Sequence, residues 1–241
     1  MKFLRGIIKL ALVNLVLSLI DIDNVLSVIR FTGFRVNFIF TLPTVIPTLW
    51  DLMGMDPVTS IYVNLNPGTI PSLAYAFIAA LLQYFYIYYM IKRIIKPTIN
   101  IKGGRIIDIL LFNIALLFAV LLVIIIYLTT RSVPLFTAIL ILYLIGYYFV
   151  YGAPYVIVLK DLEFRRALNL AIRIAMNGEY LLFTIIYGLI TFFTSPIISA
   201  IAYGGKLIGI VVASLIAALV GLWLSASTLI MINYLINVKP H

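Results

Sequence analysis

Apolar residues run along this chain in long blocks, and polar ones collect between the blocks. Four blocks exceed the roughly 20 residues that a helix needs to cross a bilayer: 70–91, 106–128, 133–159 and 207–236. A fifth, 180–203, is also long enough but contains Pro196, which frees a carbonyl and predicts a bend, not a break. The first 54 residues are less regular. Lys2, Arg5 and Lys9 precede an apolar run to residue 20, as in a secretory leader, but SLIDID follows without a small-x-small cleavage pattern, so retention is expected. A second apolar stretch, 38–53, carries Pro43 and Pro47. Either 2–20 spans and 38–53 re-enters, or 38–53 spans and the first helix lies on the surface. At 100° per residue Lys2, Arg5, Lys9, Asn24, Ser27 and Arg30 share one face, which favours the surface helix. Both arrangements give six crossings.

Composition turns this pattern into a class. The chain is 64% hydrophobic and only 10% charged, whereas soluble domains carry about 25% charge. A core cannot absorb that excess, so most of these side chains face lipid or other membrane-buried helices. The expected fold is all-α: one polytopic integral membrane helix bundle over residues 1–241, with about six transmembrane helices. Cysteine is absent and the one histidine is His241, which removes disulfides, thiolate sites and histidine-based catalysis. The isoleucine- and tyrosine-rich, cysteine-free composition hints at a thermophile.

The net charge of +9 is distributed unevenly. Lys92, Arg93, Lys96, Lys102 and Arg105 fall in one loop, Lys160, Arg165, Arg166 and Arg173 in another, and Lys239 in the tail. Arg131 and Lys206 fall on the opposite side, with the segment 55–72, which carries no lysine or arginine. This asymmetry predicts a cell-membrane protein with both termini in the cytoplasm.

The stretch KDLEFRRALNLAIRIAMNGEY (160–180) concentrates charge between two apolar blocks. Arg165, Arg166, Asn169, Arg173 and Asn177 fall on one helical face, and Phe164, Ala167, Leu168, Ala171, Ile174 and Ala175 on the other. Asp161 is placed as an N-cap, four residues before Arg165, and Asn177-Gly178 as a stop. The run is too polar to span and predicts a cytoplasmic interfacial amphipathic helix over 162–177, a collar for the flanking spans or a docking site for anionic lipid or a partner. Pro154, Glu163, Ala167, Leu168 and Gly178 give this region a resemblance to the poorly characterised multi-pass membrane domains of the type fused to glycerophosphodiester phosphodiesterases. The resemblance implies a six-helix domain without catalytic residues of its own.

Three further patterns bear on function. Gly209, Ala213, Ala217, Gly221 and Ser225 recur every fourth residue, a small-residue stripe that lets another helix approach, in the same chain or in a homo-oligomer. Tyr143, Tyr147, Tyr151 and Tyr155 form a second stripe, which with Gln83 is a candidate cavity lining; cross-helix bonding and the interfacial aromatic belt are the alternatives. Tyr84, Tyr86, Tyr88 and Tyr89, beside Lys92 and Arg93, read as belt. Asp108 is most simply a partner of Arg105 or Lys102. Asp21, Asp23, Asp51 and Asp56 do not make a convincing cation site, and no nucleophile elbow, phosphate loop or metalloprotease pair occurs. No cofactor is expected. The sequence therefore predicts a non-catalytic membrane protein: a subunit or scaffold that docks protein partners or lipids through Lys92, Arg93, Arg165, Arg166 and Arg173. The alternative is a channel or passive transporter, one version being the pore of a nucleic-acid translocation machine; a lipid-modifying enzyme ranks last.

Overall fold

The computed structural model describes residues 2–54, 69–95 and 105–238, and all regular structure among them is helical. The expected outer segment 55–72 is largely outside the described residues, as are Asp56, Lys96, Lys102, Lys239 and His241.

The chain opens with α1 (Lys2–Ile20) and α2 (Ile22–Arg30), which meet at Asp21 with a 62° bend. The Asp21 carboxylate accepts from the backbone N–H and the side-chain amide of Asn24, an N-cap that starts a new helix. The favoured surface helix needed 2–30 as one rod. The bend separates Lys9 from Asn24, Ser27 and Arg30, and α1 buries Leu10, Asn14, Leu17 and Ser18 in the bundle. Residues 31–48 then run without helix or strand to α3 (Leu49–Met53), which starts at a reciprocal capping box between Thr48 and Asp51.

After α3 come α4 (Thr69–Met90), with a π-helical turn at Ile91–Ile95, and α5 (Ile106–Thr130). Next, α6 (Val133–Val150) and α7 (Ala153–Lys160) read as one apolar run, followed by α8 (Phe164–Ala175) and α9 (Gly178–Val238). The last is two arms that meet at Lys206, whose φ of 49° and ψ of −127° are not helical. Gly209 of the second arm packs onto the backbone carbonyls of Ile201 and Ala202 in the first, and Gly152 sits between Tyr180 and Ile232. The arms are therefore antiparallel. Helix continues through Pro196, and the reversal falls at Lys206 instead. By length and composition α5, α6–α7 and α9 can each cross a membrane, and the bent α1–α2 pair would add a fourth.

The extended run 31–48 is the unusual element, since apolar surroundings leave an unpaired peptide group no water to bond. Its solution is a ladder of hydroxyls. The N–H groups of Asn37, Ile39 and Thr41 donate to Ser199, Ser195 and Thr191 at 2.9, 3.0 and 3.1 Å. Two extended residues advance about 6.6 Å and four helical ones about 6 Å, so alternate N–H groups stay in register with hydroxyls every fourth residue. Ser195 also donates to the Asn37 carbonyl at 3.0 Å. Deeper in, the carbonyls of Pro43, Val45 and Pro47 accept from Tyr147, Ser225 and Asn14. The chain then turns back, where Ser18 receives the Leu49 N–H and the Ser18 carbonyl accepts from Trp50 Nε1, until the Asn37 amide reaches the Met53 carbonyl. Residues 31–54 thus form a hairpin that enters and leaves by the Lys206 end of the bundle.

Ser195 fills two positions of the ladder, whereas neighbouring Thr194 bonds only carbonyls of its own helix. Ser195→Ala should lower stability by about 2–3 kcal/mol and Thr194→Ala by well under 1, read as unfolding midpoints in detergent micelles.

Candidate functional site

A cavity of about 910 Å³ lies between the extended run and helices α4, α5 and α6. Along it α6 buries none of its own residues, and residues of the 40–48 segment form the facing wall. Tyr143, Tyr147, Tyr151 and Gln83 all line it, together with Asn113, Thr41 and Asp51. The fourth member of the stripe, Tyr155, is fully buried one turn further on, in the most enclosed part of the fold.

The tyrosines line the cavity in a different way from a wet polar stripe. Tyr147 donates to the Pro43 carbonyl at 3.2 Å, Tyr148 to the Ala175 carbonyl at 2.8 Å, and Tyr151 shares a 2.9 Å bond with Thr184. Those hydroxyls fasten α6 to the extended run, α8 and α9. The rings stack along the helix, Tyr143 to Tyr147 with centroids 6.3 Å apart, and Tyr151 on Tyr180 at 4.9 Å. Both halves of the sequence reading, cavity lining and cross-helix bonding, meet in the same residues. At the polar end Asn113 Nδ2 donates to Gln83 Oε1 at 3.0 Å and to the Ile109 carbonyl at 2.8 Å, joining α4 to α5.

A second constellation lies at the start of α5, on the N-terminal side of Asn113. Arg105 donates to Asp161 at 2.8 Å and pairs with Asp108 at 3.3 Å. The bond to Asp161, then the one to Asp108, holds the guanidinium pKa above its ordinary value. Asp108 Oδ1 also accepts the backbone N–H of Phe164 at 2.9 Å, which caps α8 from another helix. This corrects the expected cap. Asp161 cannot serve, because with φ of 52° it ends α7 and turns to Arg105. Glu163 holds the N-cap position without a side-chain bond. Asn177 accepts from the Glu179 N–H and so begins α9 instead of stopping α8. The helix is shorter than 162–177, buries Ala167, Ala171, Ile174 and Ala175, and leaves Arg165, Arg166 and Arg173 exposed.

The remaining candidates separate. Lys92 and Arg93 are exposed and lie 5.9 and 5.1 Å from the ring centroids of Tyr88 and Tyr89. Tyr84 and Tyr86 depart from the expected belt, being buried in the bundle core. Of the small-residue stripe, Gly209, Ala213, Ala217, Gly221 and Ser225 are all buried within the chain. A Cβ at Gly221 would collide with the Pro47 carbonyl and crowd the Asn14 amide of α1, so the residue admits the extended run and the side chain that holds it. Asp21 and Asp51 act as caps, and among the described residues no acidic, histidine or cysteine cluster is arranged for a metal. Sequence reasoning missed Thr191, Ser195 and Ser199. Their signal was visible, hydroxyls every fourth residue opposite a proline-bearing extended stretch.

No protein-family model matches the chain, and neither do curated proteins or solved structures.

Because Asp108 caps α8 and Glu163 does not, Asp108→Ala should speed amide hydrogen exchange in the first turn of α8, with a loss of about 1 kcal/mol. Glu163→Ala should leave that exchange unchanged.

Proposed function

We propose that this is a non-catalytic membrane transport protein, a passive carrier or channel whose path passes the tyrosine-walled cavity. The observation that carries the reading is an extended, proline-bearing segment held at the centre of an apolar bundle beside a large cavity. Irregular backbone inside a membrane protein is tolerated where it is buried in protein or lines a cavity, and here the hairpin does both. Nothing in the cavity resembles an acid–base pair, so binding and passage are the chemistry left to it.

The reading includes six crossings: α1–α2, α4, α5, α6–α7 and the two arms of α9. Gly6 beside Arg93, Arg105 beside Asp161, and Lys160 within 3.5 Å of Asn237 gather basic groups at one end of the bundle, with Arg131 and Lys206 at the other. That supports cytoplasmic termini, with the hairpin entering from outside. In liposomes, Tyr147→Ala should change the transbilayer flux of small uncharged solutes or lipids several-fold relative to the unaltered protein. A protein that moves none of them in either form refutes the proposal.

A scaffold role is the second reading, favoured by the exposed Arg165, Arg166 and Arg173 on a helix whose other side is buried. Changing all three to glutamine should abolish recovery of a bound protein from gently solubilised membranes. Undiminished recovery removes the basic face as the docking site.

A further inference from the structure

The charge and hydrogen-bonding character of the cavity narrow what it can hold. Among the described residues that line it there is no lysine, arginine or histidine, so an anionic group would be desolvated there without a counter-charge from them. Asp51 is the one carboxylate among them, and Oδ2 is engaged by both the N–H and the hydroxyl of Thr48.

The amides of Gln83 and Asn113 make the pole of the site. Their mutual bond uses one donor and one acceptor, and leaves the Gln83 N–H groups and Asn113 Oδ1. A donor beside an acceptor matches a hydroxyl, which gives one bond and receives the other. At the mouth Phe77, Leu140, Leu144 and Ile145 are exposed, so the cavity opens sideways between α4 and α6, onto hydrocarbon if these helices span. About 910 Å³ is at the upper end of ligand sites, which run roughly 300–1,000 Å³, and suits a chain better than a small solute.

We propose that the cavity binds an uncharged long-chain lipid, its hydroxyl head held by Gln83 and Asn113 and its tail leaving between α4 and α6. The proposal rests on the transport reading for its purpose but on the cavity alone for its binding.

The test uses the full chain in nanodiscs and three photoreactive probes of equal length carrying a diazirine in the tail: hexadecanol, hexadecyl sulfate and hexadecyltrimethylammonium. Labelled residues are mapped by mass spectrometry. Hexadecanol should label the mouth around Leu140 and Leu144, and unlabelled hexadecanol should displace it where the sulfate does not. Replacing Gln83 and Asn113 together by leucine should reduce that labelling about tenfold, the loss of two modest hydrogen bonds. Should the double variant fail to fold, the displacement series on the unaltered protein decides alone. Equal or stronger labelling of these positions by either charged probe, or none by hexadecanol, overturns the proposal. The two failures differ: alcohol binding without transbilayer movement defeats transport alone, and movement of another solute without alcohol labelling defeats the lipid site alone.

Discussion

Every other feature of this bundle depends on how the peptide groups of residues 31–48 find partners away from water. An unmet buried N–H or carbonyl costs about 1–3 kcal/mol, and a run of them would expel the segment from the fold. Helices satisfy their own backbone, but an extended chain must borrow. Here it borrows from side chains on α1, α6 and both arms of α9, which is why Asn14, Tyr147, Ser195, Ser199 and Ser225 occupy otherwise apolar helices. The single Ser225 proton is within reach of both the Val45 carbonyl and its own Gly221 carbonyl, so it is shared between the extended run and its helix.

The cavity follows from that arrangement. Glycine at 221 lets the backbone of Pro47 approach the second arm of α9 closely, while Phe40 lies over Gly188 of the first. The hairpin lies beside α6, which is held near its C-terminal end by the Tyr147, Tyr148 and Tyr151 hydroxyls, while none of its own residues is fully buried. A helix attached by hydroxyls and stacked rings, and lacking buried side chains, leaves space along its length. The cavity is in this sense a by-product of where peptide groups were satisfied.

The helical class and the later helices could be read from the sequence, because long apolar blocks have one solution in hydrocarbon. Gln83 and the tyrosine stripe were also visible as cavity candidates, since polar atoms at that spacing demand partners. The N-terminal 54 residues were not legible for a physical reason. The 100° face shared by Lys9, Asn24 and Ser27 exists only if the helix is straight, and Asp21 ends it by capping a new one. The small-residue stripe was legible as close approach but not as to what approaches: Gly209 meets helix backbone at Ile201 and Ala202, Gly221 the extended chain at Pro47. Asp161 likewise has the composition of a cap, yet a cap is defined by backbone angles, and a left-handed φ of 52° cannot open a helix.

Arg105 links the two ends of the functional reading. Through Asp161 it holds the end of α7, and through Asp108 it holds α5 and, by the Phe164 N–H, the start of α8. The helix α7 continues directly into α6, whose other attachments, Tyr148 on the Ala175 carbonyl and Tyr147 on Pro43, run to α8 and to the hairpin. The amphipathic helix therefore grips the cavity wall at both of its own termini, at Phe164 through the ion pairs and at Ala175 through Tyr148. The exposed Arg165, Arg166 and Arg173 thus sit on a helix tied at both termini to the run that contains α6, which among the described residues buries no side chain and which bounds the cavity. On that geometry the proposed docking at the basic face and the proposed passage by the cavity do not compete. The contacts that would make α8 a collar are the same ones that would let it set the width of the path.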